Sequence, residues 1–140
     1  MPRLLLVLFV ALPLFPQQNS VSLRDHLVAA ADDRPNHVVR YDPGYVKIAY
    51  PDGDVPAESG VCTDEIIRIY RAVGIDLQKE VHEDMAANRS AYPFRLKWMQ
   101  IRLDTNIDHR RVPNLAVFFS RKGQSLAITE KPADYLPGTL

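Results

Sequence analysis

With 140 residues, 46% hydrophobic and 24% charged, the chain has the length and mix of one globular domain, which excludes disorder throughout. Seventeen Lys and Arg balance seventeen Asp and Glu, so the basic surplus of a general nucleic-acid binder is missing. A single cysteine excludes an internal disulfide and any zinc site built on two or more thiolates.

Arg3 precedes an uncharged apolar run from Leu4 to Phe15. That run is shorter than the ~20 residues a membrane span needs, and it reads as the core of a secretory leader. Residues 1–18 are therefore expected to act as a signal peptide, with export to the periplasm and no stable membrane span after its removal. An uncleaved N-terminal anchor is the alternative. Ser20 or Ser22 can cap a helix running to about Ala31, with Leu23, Leu27, Val28 and Ala31 on one face. Tyr41-Asp42-Pro43-Gly44 reads as a turn. Tyr45 to Tyr50 alternates and predicts a strand, and Pro51-Asp52-Gly53-Asp54 turns again.

A second helix is expected from about Cys62 to Val73. Its apolar positions are Ile66, Ile69, Tyr70 and Val73, Ile67 widens the face, and Gly74 suits the position just past its end. Leu77, Val81 and Met85 make an i, i+4, i+8 stripe on a third helix from about Asp76 to Asn88. Trp98, Met99 and Ile101 are expected to anchor an irregular stretch to the core. Pro113 fits the first position of a helix running to about Arg121, carrying Leu115, Phe118 and Phe119. Ser125 to Thr129 could form a short strand. The segment from Pro132 to Leu140 reads as a connection.

The zero net charge hides a segregation. Asp42 to Asp84 holds ten acidic and four basic residues, while Arg89 to Lys122 holds eight basic and two acidic ones. Attraction between the two stretches across one fold is the favoured reading. A cleft with one basic wall for an anionic ligand is the sharper one.

The strongest local chemical signal is Gly60-Val61-Cys62-Thr63-Asp64. Glycine permits a tight turn just before a helix. Free amide N–H groups and the positive dipole end at a helix start stabilise a thiolate. Thr63 and Asp64 can cap the same helix, although the charge of Asp64 opposes a thiolate. A small buried cysteine is the equally weighted structural reading. A cysteine nucleophile needs a base, and the histidines are His26, His37, His82 and His109. His82 lies beside the third helix's apolar stripe. His109 lies in a polar run in which Asp104, Asn106 and Asp108 could organise a loop. In the same run Arg110 and Arg111 could hold a carboxylate or pair with the acidic stretch. A metal site drawn from His82, Asp84, Asp108 and His109 is demanded by no spacing, so neither metal nor cofactor is expected.

Tyr41-Asp42-Pro43, Tyr45 through Pro51, Gly53-Asp54-Val55-Pro56 and Gly60-Val61-Cys62-Thr63-Asp64 together resemble the bacterial DUF1287 family. So do Ile75-Asp76-Leu77-Gln78, Val81-His82-Glu83-Asp84-Met85, Tyr92-Pro93 and the run from Asp104 to Leu115. The resemblance covers about residues 23 to 138. It implies an α+β, papain-like or NlpC/P60-like fold, with a helical N-terminal half and the C-terminal β-sheet largely missing. Residues 19–140 would then be one such domain, incomplete at its C-terminus. The resemblance makes Cys62 the expected nucleophile and the catalytic histidine an absent one. His82 and His109 match other family positions, so they are not its substitutes. Thr63, Asp64, His82, Asp104, Asn106, Asp108, His109, Arg110 and Arg111 are the candidate supporting or substrate-binding residues. The implied activity is hydrolysis of an amide in a cell-wall peptide or peptidoglycan-like substrate, impaired without the histidine. A non-catalytic envelope binding or structural module, or an inactive truncated fragment, are the alternatives.

Overall fold

The computed structural model describes residues 22–93 and 102–138. The expected leader and the anchor residues Trp98, Met99 and Ile101 lie outside them. Helix α1 spans Leu23–Asp33, and Ser22 caps it. The Ser22 hydroxyl accepts from the Asp25 N–H, and the Asp25 carboxylate accepts from the Ser22 N–H, which satisfies two donors that a helix start otherwise leaves open. Strand β1, Arg40–Tyr41, pairs in parallel with β2, Ser59–Gly60, in the register Arg40 to Ser59 and Tyr41 to Gly60. Helix α2 spans Cys62–Ala72, α3 spans Leu77–Ala87 and α4 spans Val112–Lys122. A 3₁₀ turn, Asp108–Arg110, leads into α4 and packs against α2, α3 and α4.

The core joins α2, α3 and α4. Ile67, Leu77, Val81, Met85, Leu115 and Phe118 are buried together with Tyr92. The i, i+4, i+8 stripe of α3 is the centre of this cluster, as its spacing predicts, and Asp76 caps the helix by accepting from the Gln78 N–H. Gly74 has φ +82, the left-handed conformation that ends a helix most readily at glycine.

The inward face of α2 includes the expected Ile66, Ile67 and Tyr70, which pack in or against the core, but it also extends to two polar residues. Thr63, Asp64 and Ile67 are its buried residues, whereas Ile69 and Val73 are half-buried. The cause is the 3₁₀ turn packed on its N-terminal half, which supplies polar partners that make Thr63 and Asp64 buriable.

Two expected strands do not form. Residues 45–49 have no strand pairing because side chains take their backbone groups. The Ile48 N–H donates to Asn106 Oδ1 and the Ala49 carbonyl accepts from Gln78 Nε2. Residues 125–129 are also unpaired, and the Thr129 N–H donates to the Tyr135 hydroxyl instead. The turn at Tyr41–Gly44 is present, closed by the Gly44 N–H donating to Asp42 Oδ1, an Asx turn.

The charge segregation is resolved in two ways. Asp64 pairs with Arg110, and Asp84 with Arg121 and Lys122, across the two stretches. Asp54 and Glu65 instead take Arg68 from their own stretch. No helix among the described residues is long and apolar enough to cross a membrane.

Candidate functional site

Cys62 is the first residue of α2, and its thiol is free and exposed. The chain reaches it through β2, whose Gly60 carbonyl accepts from the Asp42 N–H at 2.9 Å. A Cβ added at Gly60 would stand 2.8 Å from Asp64 Oδ2, so glycine is required there by the close approach of that carboxylate. Arg68 secures the preceding loop. Its guanidinium donates to Asp54, Glu65 and the carbonyls of Pro56 and Ser59.

The start of α2 is fixed by the 3₁₀ turn. Asp64 and Arg110 form a bidentate pair, Nε to Oδ1 at 2.7 Å and Nη2 to Oδ2 at 2.9 Å. Both are buried, Asp64 to 1% exposure and Arg110 to 6%. Asp64 Oδ2 also accepts from the Val61 N–H at 2.6 Å. The Thr63 hydroxyl donates to the Arg110 carbonyl at 2.8 Å. Arg110 Nη1 donates to the Gly44 carbonyl at 3.2 Å, tying the strand region to the same point.

A second polar group is built from Asp104, Asn106 and Asp108. Asp104 accepts from the Asn106 N–H and side-chain amide and from the Tyr45 hydroxyl. Burial opposes its ionised form, but these bonds outweigh it and hold the carboxyl below its usual range. Asp108 accepts from the Asp104 N–H at 2.6 Å, and burial pushes its carboxyl up. Asn114 donates to the Asp108 carbonyl, closing the turn onto α4. Arg111 is exposed, and its charge favours the ionised forms of Asp104 and Asp108.

The four histidines lie in different surroundings. His109 is buried with its Nδ1 unpartnered, and burial pushes the imidazole down to about 4. His82 is half-buried, its ring edge-on to Tyr50 at 5.2 Å, and its Nδ1 is also unpartnered. His37 pairs with Asp33 and His26 lies exposed on α1. Among the described residues, no hydrogen bond joins Cys62 to a histidine. Nor does any group of three or more His, Cys, Asp or Glu stand ready to hold a metal. Asp84 is committed elsewhere, accepting from Tyr92 and Arg121 at 2.7 Å each.

The structure thus brings together Thr63, Asp64 and Arg110 at the helix that carries Cys62, and separately Asp104, Asn106 and Asp108. Two residues escaped sequence reasoning. Tyr45, read as strand, is the hydroxyl partner of Asp104. Gln78, fully buried, donates to the Ala49 and Thr105 carbonyls and accepts from the Gly53 N–H. A polar residue directly after the first position of the α3 stripe was the available signal for it.

The family model for a domain of unknown function, DUF1287, matches residues 28–140. The uncharacterized protein YijF of Escherichia coli (strain K12) is 53% identical over 100 residues, which cover 71% of this chain and 48% of that protein. The chain spans about half the length of this curated relative. No solved structure matches. Residues 28–140 place the match over the helices, the strand pair and the polar turn described above, and the chain belongs to the DUF1287 family.

Proposed function

We propose that this chain carries the nucleophile of an exported cysteine hydrolase, papain-like or NlpC/P60-like in architecture. On this reading residues 1–18 direct it to the periplasm. The Cys62 thiolate attacks the carbonyl of an amide in a cell-wall peptide or peptidoglycan-like substrate. The amine leaves with a proton, and water then hydrolyses the thioester. The observation that supports it is the exposed thiol at the first position of α2, where amide dipoles favour a thiolate. Among the described residues no histidine is hydrogen-bonded to that thiol, and the family resemblance implies a further histidine as the base. That same absence supports a second reading, a non-catalytic envelope binding module.

Alkylation of Cys62 by iodoacetamide against pH, with circular dichroism to confirm folding, separates the two. Rapid, stoichiometric alkylation of the folded chain at neutral pH is expected for the hydrolase. Release of soluble fragments from purified peptidoglycan by the full-length protein is expected to vanish in Cys62→Ser while the fold persists. Release that survives this substitution would remove Cys62 from the mechanism. An inert thiol in a folded chain would leave the binding module.

A further inference from the structure

Tyr45 is held and exposed at once. Its hydroxyl donates to Asp104 Oδ2 at 3.0 Å and accepts from Asn106 Nδ2 at 2.9 Å, yet the residue is 61% exposed. These two bonds are not needed to fasten the segment. Asn106 Oδ1 already accepts from the Ile48 N–H, and Arg110 donates to the Gly44 carbonyl. Hydrogen bonds open to water add little net stability. What the pair fixes is the direction of the ring. Its base is firm, because the Asp104 N–H donates to the buried Asp108 and Asn114 ties that turn to α4. A phenol ring is thus presented to solvent with little rotamer freedom left to lose when a ligand settles on it.

The surroundings select the class of ligand. Between residues 40 and 50 the exposed large apolar side chains are all tyrosines, Tyr41, Tyr45 and Tyr50. Tyr50 is set edge-on to His82. Rings with hydroxyl edges suit a partner that is apolar on one face and polar around its rim. The acids here have cations beside them, Arg40 by Asp42 at 3.8 Å and Arg111 acting on Asp104. The face therefore singles out neither an anion nor a cation. A neutral pyranose meets both conditions. Its axial C–H bonds present slight positive charge to the negative face of an aromatic ring, and its hydroxyls match the carboxylate, amide and guanidinium of Asp104, Asn106 and Arg111.

We propose that Tyr45, set by Asp104 and Asn106, is the stacking platform of a binding site for a neutral glycan strand. The inference goes beyond the hydrolase reading, since it needs neither Cys62 nor a base and serves a binding module equally.

The test is saturation-transfer NMR of a chitin trisaccharide with the full chain at neutral pH, with circular dichroism on each variant. Saturation is expected to concentrate on the axial protons of one sugar face, and the Tyr45 ring resonances are expected to shift on titration. Tyr45→Leu removes the ring and is expected to weaken binding roughly three- to ten-fold. Tyr45→Phe keeps the ring but loses both hydroxyl bonds, and its affinity is expected to fall between the two. No binding by the folded native chain, or binding that Tyr45→Leu leaves unchanged, would overturn the platform. So would saturation without a preferred sugar face. If Tyr45→Leu does not fold, the native chain decides, and Tyr45 ring resonances that stay unshifted at saturating sugar overturn the proposal. Because binding is read without turnover, failure of the platform and failure of the hydrolase reading are separate results.

Discussion

His109 and Asp84 are both buried, and both titrate below their ordinary range for different reasons. Burial penalises the imidazolium of His109 and takes it down to about 4. The Arg121 guanidinium and the Tyr92 hydroxyl hold the carboxylate of Asp84 at about 2 against burial. In each case the unfolded chain binds the proton first, so stability falls as pH falls. For His109 the loss runs from about 6.5 down through about 4, and is on the order of 3 kcal/mol. For Asp84 it runs from about 4 down through about 2. Urea midpoints measured against pH should therefore descend in two stages. His109→Leu should flatten the first, and Asp84→Asn the second, the latter at a cost of about 1–3 kcal/mol at pH 7. A single descent confined below pH 4 would mean that His109 does not sit buried and neutral. Sequence alone offered His109 and His82 as polar neighbours of a catalytic thiol. Burial sets the titration of His109, and it depends on the 3₁₀ turn packing against α2, α3 and α4, which no local pattern encodes.

At the scale of elements, capping and periodicity were legible where one residue type settles the matter. Ser22, Asp76 and Gly74 mark helix ends where they were expected, Pro113 falls one position later, as the second residue of α4, and the α3 stripe is the centre of the core. The α2 face was legible at Ile66, Ile67 and Tyr70, but not at Thr63 and Asp64, which hydrophobicity assigns to the surface. Their partners come from residues more than forty positions away. The alternation at 45–50 was real, but a strand needs a neighbouring strand, and Asn106 and Gln78 take the backbone groups a neighbour would use. Burial on this face centres on Ile67, whereas Ile69 is half-buried. Ile67→Ala should cost about 2–5 kcal/mol, as for a fully buried aliphatic side chain, whereas Ile69→Ala should cost clearly less. Equal urea unfolding free energies for the two variants would place Ile69 in the core instead.

Across the whole molecule, stability is unevenly distributed. Helix α3 buries Leu77, Gln78, Val81, Asp84 and Met85. Helix α1 buries no residue and is tied to the rest by packing on α2, by Arg34 on Glu65 and by Arg24 donating to the Pro137 carbonyl. Residues 124–138 are almost wholly exposed, with Leu126, Ile128, Tyr135 and Leu136 among their uncovered apolar side chains. Their hydrogen bonds are mostly local, between Thr129, Lys131, Asp134 and Tyr135. Local opening costs little where few apolar contacts break and the amides already face water. Amide hydrogen exchange at neutral pH should therefore show the α3 amides near the global unfolding limit. The amides of α1 and of 124–138 should exchange faster by orders of magnitude, since each 1.4 kcal/mol of lost protection is about tenfold in rate. The start of α2 should group with α3, because the Asp64–Arg110 pair and the Thr63 hydroxyl tie it to the same buried turn. Fast exchange at Asp64 and Glu65, in a chain whose α3 stays protected, would show that the turn does not hold the helix that carries Cys62.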